Sequence, residues 1–187
     1  MENIIVLLAN GFEEIEALSI IDILRRAKLN VLTLSITDKK EVEGAHQVTV
    51  ITDKLFSHID NFDEYNVLIL PGGQTGSNNL RNNSNVIELI QDFNKKNKWV
   101  CAMCAAPIVL AKAGIINNKK VTCYPGYEKY LEGAQILNDR VVVDKPIITS
   151  RGPATAPFFA LQIVKEIVDN KVFENLKTGM LYSEIDE

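Results

Sequence analysis

Apolar residues fall along the chain in two alternating patterns. Asn3 to Ala9 is an almost unbroken apolar run (Asn-Ile-Ile-Val-Leu-Leu-Ala), the pattern of a strand buried on both faces. From Glu14 to Ala27 apolar residues recur at Ile15, Leu18, Ile21, Leu24 and Ala27, the spacing of an amphipathic helix. A second apolar run, Val31 to Ile36, completes a β-α-β unit, which calls for a right-handed crossover and a parallel sheet. Val48 to Thr52 and the region around Val42 read as a short hairpin insertion. Val67 to Leu70 is the next buried strand and ends in Pro71-Gly72-Gly73. Asn85 to Asn97 is helical, with Val86, Leu89, Ile90 and Phe93 on one face. Trp99 to Met103 reads as a strand and Ala105 to Ala113 as its helix. Val121 to Cys123, Val141 to Val143 and Ile147 to Ser150 read as further strands. Pro153 sits near the start of a last major helix running to about Val168, a favoured place for proline. Lys171 to Leu181 adds a short terminal helix.

This alternation predicts an α/β sandwich, with a central, mostly parallel sheet and helices on both faces. In such sheets, sites form beyond the carboxyl ends of the strands, where the strand order reverses. Ala9, Leu70, Met103 and Ser150 end strands, so the loops after them are the candidate site.

Composition narrows the function classes. The 187 residues fit one domain, 1–187, with a sizeable core. A net charge of −4 leaves no electrostatic footprint for nucleic acid. Three cysteines without metal-ligand spacing fit a reducing compartment better than a disulfide framework. No signal peptide and no membrane-spanning stretch is apparent, so a cytoplasmic location is expected.

The chemistry centres on Cys104. It stands where an apolar run ends and a helical run begins, a sharp strand-to-helix turn. Free backbone N–H groups and a helix dipole there favour the thiolate, the reactive form of cysteine. An inert buried residue at a strand end is the alternative. Four segments are placed to meet this residue. In Asn10 to Glu16, Glu13 and Glu14 complement a helix dipole, whereas Glu16 is positioned to lean over the strand ends. A protonated Glu16 would donate a hydrogen bond to the sulfur and shuttle a proton. In Leu70-Pro71-Gly72-Gly73, paired glycines admit close backbone approach, as a plain turn or as amides lining an oxyanion hole. In Thr122-Cys123-Tyr124-Pro125 a polar group would face the site; Cys123 and Cys101 read as packing residues. In Thr149 to Pro153, Arg151 serves an anion or acts as a brace. The two histidines, His46 and His58, are not adjacent to Cys104 in sequence, so spacing does not support a Cys-His pair.

Taken together, Gly-Phe-Glu-Glu-Ile-Glu-Ala (11–17), Leu-Pro-Gly-Gly (70–73), Ala-Met-Cys-Ala-Ala-Pro (102–107) and Thr-Ser-Arg-Gly-Pro (149–153) resemble the ThiJ/PfpI superfamily. The resemblance is to the branch containing the parkinsonism-associated protein deglycase and its bacterial relatives, in order and spacing over essentially the whole chain. It implies a flavodoxin-like sandwich and a homodimer. It further implies Cys104 as nucleophile, Glu16 as the proton-sharing carboxyl, and the Gly73 and Ala105 N–H groups as the oxyanion hole. Gly72, Tyr124, Arg151 and His46 would line the substrate pocket. The chain departs from family patterns at three places: Tyr124 replaces a histidine frequent in the eukaryotic branch, Ala105 replaces the histidine of the protease-like branch, and His46 stands where arginine is common.

The activity so implied needs no cofactor and no metal. It acts on a small carbonyl substrate, a 2-oxoaldehyde or its early glycation adducts, and releases a 2-hydroxy acid. The alternative is a redox-sensing, stress-protective, chaperone-like protein working through oxidation of Cys104. Peptide or amide hydrolysis is the third reading, weakened by the missing neighbouring histidine.

Overall fold

The computed structural model describes residues 3–185. The strands and helices are β1 (Asn3–Leu8), α1 (Glu14–Arg26), β2 (Asn30–Ser35), β3 (Glu41–Glu43), β4 (Thr49–Ile51), β5 (Lys54–Leu55), β6 (Val67–Leu70), α2 (Gln74–Arg81), α3 (Ser84–Lys95), β7 (Trp99–Met103), α4 (Pro107–Lys112), β8 (Lys120–Val121), β9 (Gln135–Ile136), β10 (Val141–Asp144), β11 (Ile147–Ser150), α5 (Ala156–Ile167) and α6 (Asn170–Gly179). Seven strands form the central sheet in the order β10-β11-β7-β6-β1-β2-β5. All pairings in it are parallel except β10 with β11.

The unbroken apolar run of β1 conceals a period of two. Ile4, Val6 and Leu8 pack on one face with α1, α5 and α6. Ile5 and Leu7 pack on the other with α2, α3 and α4. Both faces are dry because successive side chains of a strand point to opposite sides. Each fully buried aliphatic side chain contributes about 1.5–3 kcal/mol, so the middle strands anchor the fold and hold their ends in place.

Register brings those ends level. Leu70 pairs with Ala102, and Ser150 pairs with Met103. The loops after β11, β7, β6 and β1 therefore emerge side by side, at the switch where the chain leaves β2 and crosses to β6.

Several expectations need correction. The helix expected from Ala105 begins at Pro107, because proline suits the first helical position. Residues 104–106 instead form a turn, in which the Ala106 N–H donates to the Met103 carbonyl at 2.9 Å. The strand expected over Val121 to Cys123 is the shorter β8, which pairs with β9 outside the central sheet. The helix expected from Pro153 starts with a 3₁₀ turn, Pro153–Thr155, before α5. Helix α2 and strands β5 and β9 had no apolar period to announce them. The hairpin insertion is β3 paired with β4. Among the described residues, no helix is long and apolar enough to cross a membrane.

Candidate active site

Cys104 occupies a strained elbow. Its φ is +61°, a left-handed conformation that costs a residue with a Cβ roughly 1–2 kcal/mol. Two backbone hydrogen bonds hold it there. The Cys104 N–H donates to the Ser150 carbonyl at 2.9 Å, and the Tyr124 N–H donates to the Cys104 carbonyl at 2.8 Å. The segments around 124 and 150 thus clamp the Cys104 backbone, a role their sequences did not reveal. The thiol projects beyond the sheet with 8% of the residue exposed.

Glu16 comes from the first turn of α1 and is completely buried. Glu13 accepts a hydrogen bond from the Glu16 N–H at 2.7 Å and caps that turn, which fixes where Glu16 points. Glu16 Oε2 accepts from the Gly72 N–H at 2.7 Å. Gly72 is wedged into the pair: a Cβ there would lie 2.5 Å from Cys104 Cβ and 2.5 Å from Glu16 Oε2. Only glycine lets the backbone pass between the carboxyl and the thiol.

Burial pushes the Glu16 carboxyl up to about 7, against the pull of hydrogen bonds from Cys104 and the Gly72 N–H. Burial also pushes the Cys104 thiol well above its ordinary value, aided by the Glu16 charge and hydrogen bond. The Gly73 and Ala105 N–H groups pull it the other way. In place of the helix end expected to stabilise a thiolate, two turn amides, of Gly73 and Ala105, face the thiol, with the Glu16 carboxyl beside it. Two adjacent buried acids titrate as a pair. When Glu16 carries the proton it must sit on Oε1, since Oε2 is accepting from Gly72. Oε1 has no hydrogen-bond partner among the described residues, so that proton is free to turn toward the sulfur. Protonating Glu16 thus removes a repulsive charge and adds a donor, and both effects favour the thiolate.

The side chains of the other candidates have partners of their own. Tyr124 is exposed, with its ring against Gly152. Arg151 donates to Asn138 Oδ1 at 2.9 Å and lies near Cys123, whose thiol burial raises to about 11; it braces the 138 loop. His46 is held by Glu14, through its N–H at 2.6 Å and its Nδ1 at 2.8 Å. Its side chain is exposed, and no hydrogen bond or ion pair joins it to Cys104 or Glu16. Glu13, Glu14 and His46 place ligand atoms within 4.8 Å of one another, but the hydrogen bonds to the Glu16 N–H and to His46 engage both carboxylates. One residue near the thiol escaped the sequence reading. The half-buried Tyr127 feels the charge of Cys104, and it stacks edge-on with Tyr124 at 6.4 Å. Its repeat with Tyr124 and Tyr130 at every third position was the available signal.

These features have counterparts in known proteins. The dj-1beta protein of Drosophila melanogaster is 35% identical over 95% of this chain and 95% of its own. A Schizosaccharomyces pombe protein named glutathione-independent glyoxalase DJ-1 is 29% identical, over 94% of this chain and 98% of its own. The solved structure of oxidised Toxoplasma gondii DJ-1 superimposes with a TM-score of 0.93 at 31% identity, covering 97% of this chain and 98% of that one. The family model described as DJ-1/PfpI matches residues 2–166. With the cysteine elbow, the buried glutamate and the flavodoxin-like sheet in place, this chain belongs to the DJ-1/PfpI family.

Proposed function

We propose that the chain converts 2-oxoaldehydes, free or as early adducts on amines and thiols, into 2-hydroxy acids. The observation that carries this reading is a buried carboxyl packed against a cysteine whose sulfur faces two backbone N–H groups, with no histidine joined to it. The Cys104 thiolate attacks the aldehyde carbon and forms a C–S bond. The carbonyl electron pair moves onto oxygen, where the Gly73 and Ala105 N–H groups stabilise it. Glu16, which holds the proton given up by the thiol, delivers it to that oxygen. The resulting carboxylate takes the proton from the carbon and returns it to the neighbouring carbon, while the hydroxyl proton passes to the neighbouring oxygen. The first carbon is thereby oxidised to a thioester and the second reduced to an alcohol, so no external oxidant is needed. Water then cleaves the thioester and regenerates the thiol.

The test is lactate formation from methylglyoxal. Cys104→Ala abolishes it, and Glu16→Gln lowers turnover by about 10²–10⁴. A parental rate in Cys104→Ala would sink the mechanism.

One observation favours a second use of the same site. Cys104 retains some exposure, whereas Cys101 and Cys123 are essentially sealed. A neutral Glu16 also has an O–H to offer a sulfinate. In this redox-sensing reading, mild peroxide oxidises Cys104 first, as read by mass spectrometry. Earlier oxidation of Cys101 or Cys123 would count against it.

A further inference from the structure

Next to the Gly73 turn, where Gln74 begins α2, lies a cavity of about 310 Å³, walled on one side by Gln74, Asn78 and Arg81 of α2 and on the other by Tyr127, Lys129 and Tyr130. It adjoins the proposed chemistry from two directions. Gln74 directly follows Gly73, whose N–H reaches the sulfur, and the Tyr127 phenol lies within electrostatic range of Cys104. Two cations line this cavity and no carboxylate does. Among the described residues no acid pairs with the half-buried Arg81. Lys129 rests its Nζ 5.1 Å above the Tyr130 ring. Glu128, the acid in the same loop, accepts from the Gly126 N–H at 2.7 Å and is engaged there. In a chain of net charge −4, two unneutralised cations facing one hollow beside a nucleophile form a local exception that an anion would offset. Arginine's planar fork matches a carboxylate in two parallel hydrogen bonds.

We propose that this cavity holds the non-reacting end of the substrate, and that it selects 2-oxoaldehydes whose far end is a carboxylate on a short chain. The proposal rests on the reading of the site as a 2-oxoaldehyde enzyme and specifies its substrate class. The reaction balances as before: the aldehyde carbon becomes a carboxylic acid, the adjacent ketone becomes an alcohol, and one water is consumed. The remote carboxylate is unchanged.

The experiment compares methylglyoxal with 4,5-dioxopentanoate, which carries a carboxylate two methylenes beyond its ketone. The parent chain shows a higher kcat/KM for the anionic compound. Arg81→Gln combined with Lys129→Gln lowers the ratio of the two kcat/KM values by about tenfold, through KM for 4,5-dioxopentanoate. An unchanged ratio in the double variant overturns the proposal and leaves the 2-oxoaldehyde reading intact. A second measurement needs no turnover: glutarate, an unreactive dicarboxylate, protects Cys104 from iodoacetamide in the parent. Protection weakens about tenfold in the double variant. Protection without turnover of either aldehyde supports the anion pocket while sinking the enzyme reading. Absence of protection together with a parental ratio at or below one overturns the pocket.

Discussion

Replacing Glu16 with glutamine separates the chemistry of this site from its effect on stability. The carboxyl rises from an ordinary 4.5 to about 7 because it is buried. At about 1.4 kcal/mol per pH unit, that rise means that ionised Glu16 costs the fold about 3 kcal/mol. The sign follows from proton counting. Between the two values the folded chain keeps a proton that the unfolded chain has released, so stability falls as pH rises through this window. Above about 8 the loss is complete. Glutamine is uncharged at every pH and nearly the same shape. Its carbonyl can accept from the Gly72 N–H as Glu16 Oε2 does at 2.7 Å, and its amide donates where Oε1 now lacks a partner. Glu16→Gln should therefore be more stable than the parent at pH 8, and its advantage there should exceed that at pH 5 by about 2 kcal/mol. For a chain of this size the difference corresponds to about 4–8 °C in Tm. Urea unfolding followed by tryptophan fluorescence at the two pH values measures it. An advantage no larger at pH 8 than at pH 5, or a variant less stable at pH 8, would refute the raised carboxyl. Greater stability joined to lost turnover is the signature of a strained functional group.

Three further outcomes follow from the same geometry. Iodoacetamide labelling of Cys104 should shift to lower pH in Glu16→Gln, because the charge that opposes the thiolate is gone; an identical pH profile would mean that burial alone sets the thiol. Gly72→Ala should cost about 1–3 kcal/mol by overpacking and slow labelling of Cys104, since its methyl group would fall 2.5 Å from both Cys104 Cβ and Glu16 Oε2; parental stability and labelling would show that the turn can shift. His46→Gln should leave KM for methylglyoxal within about twofold, because His46 is tied to Glu14 at 2.8 Å and not to the thiol; a large rise in KM would return His46 to the pocket. The Glu14 carboxylate raises the pKa of the exposed His46, so whatever stability this pair adds is present below pH 6.5 and fades as pH rises through the raised value.

Burial pattern and order of elements were legible from residues alone. A continuous apolar run must sit between two layers, and a three-to-four period must lie on one; β1, β6, α3 and β7 followed from those rules. So did the extent of α1, although Ile15 and Leu18 of its expected apolar stripe are exposed and Ala17, Ile20 and Ile23 are buried instead. Cys104 and Glu16 were also readable, because an elbow cysteine and a first-turn glutamate lie within a few residues of strands that had to be neighbours. Helix α2 was not. Its sequence, Gln-Thr-Gly-Ser-Asn-Asn-Leu-Arg, is polar and buries itself through Gly76, Ser77 and Leu80, so tertiary packing overrides a poor helical propensity. Without α2, neither the Arg81 cavity nor its link to Gly73 was visible.

Local periodicity thus determined which segments are strands, which are helices, and which loops gather at one edge. The raised proton affinity of Glu16, the left-handed backbone of Cys104, the wedge at Gly72 and the partnership of Tyr127 were decided by the tertiary structure. Each depends on how groups distant along the chain desolvate and crowd one another. A carboxyl at position 16 is ordinary in water; beneath Gly72 and beside a buried thiol, it becomes an acid that keeps its proton near neutral pH.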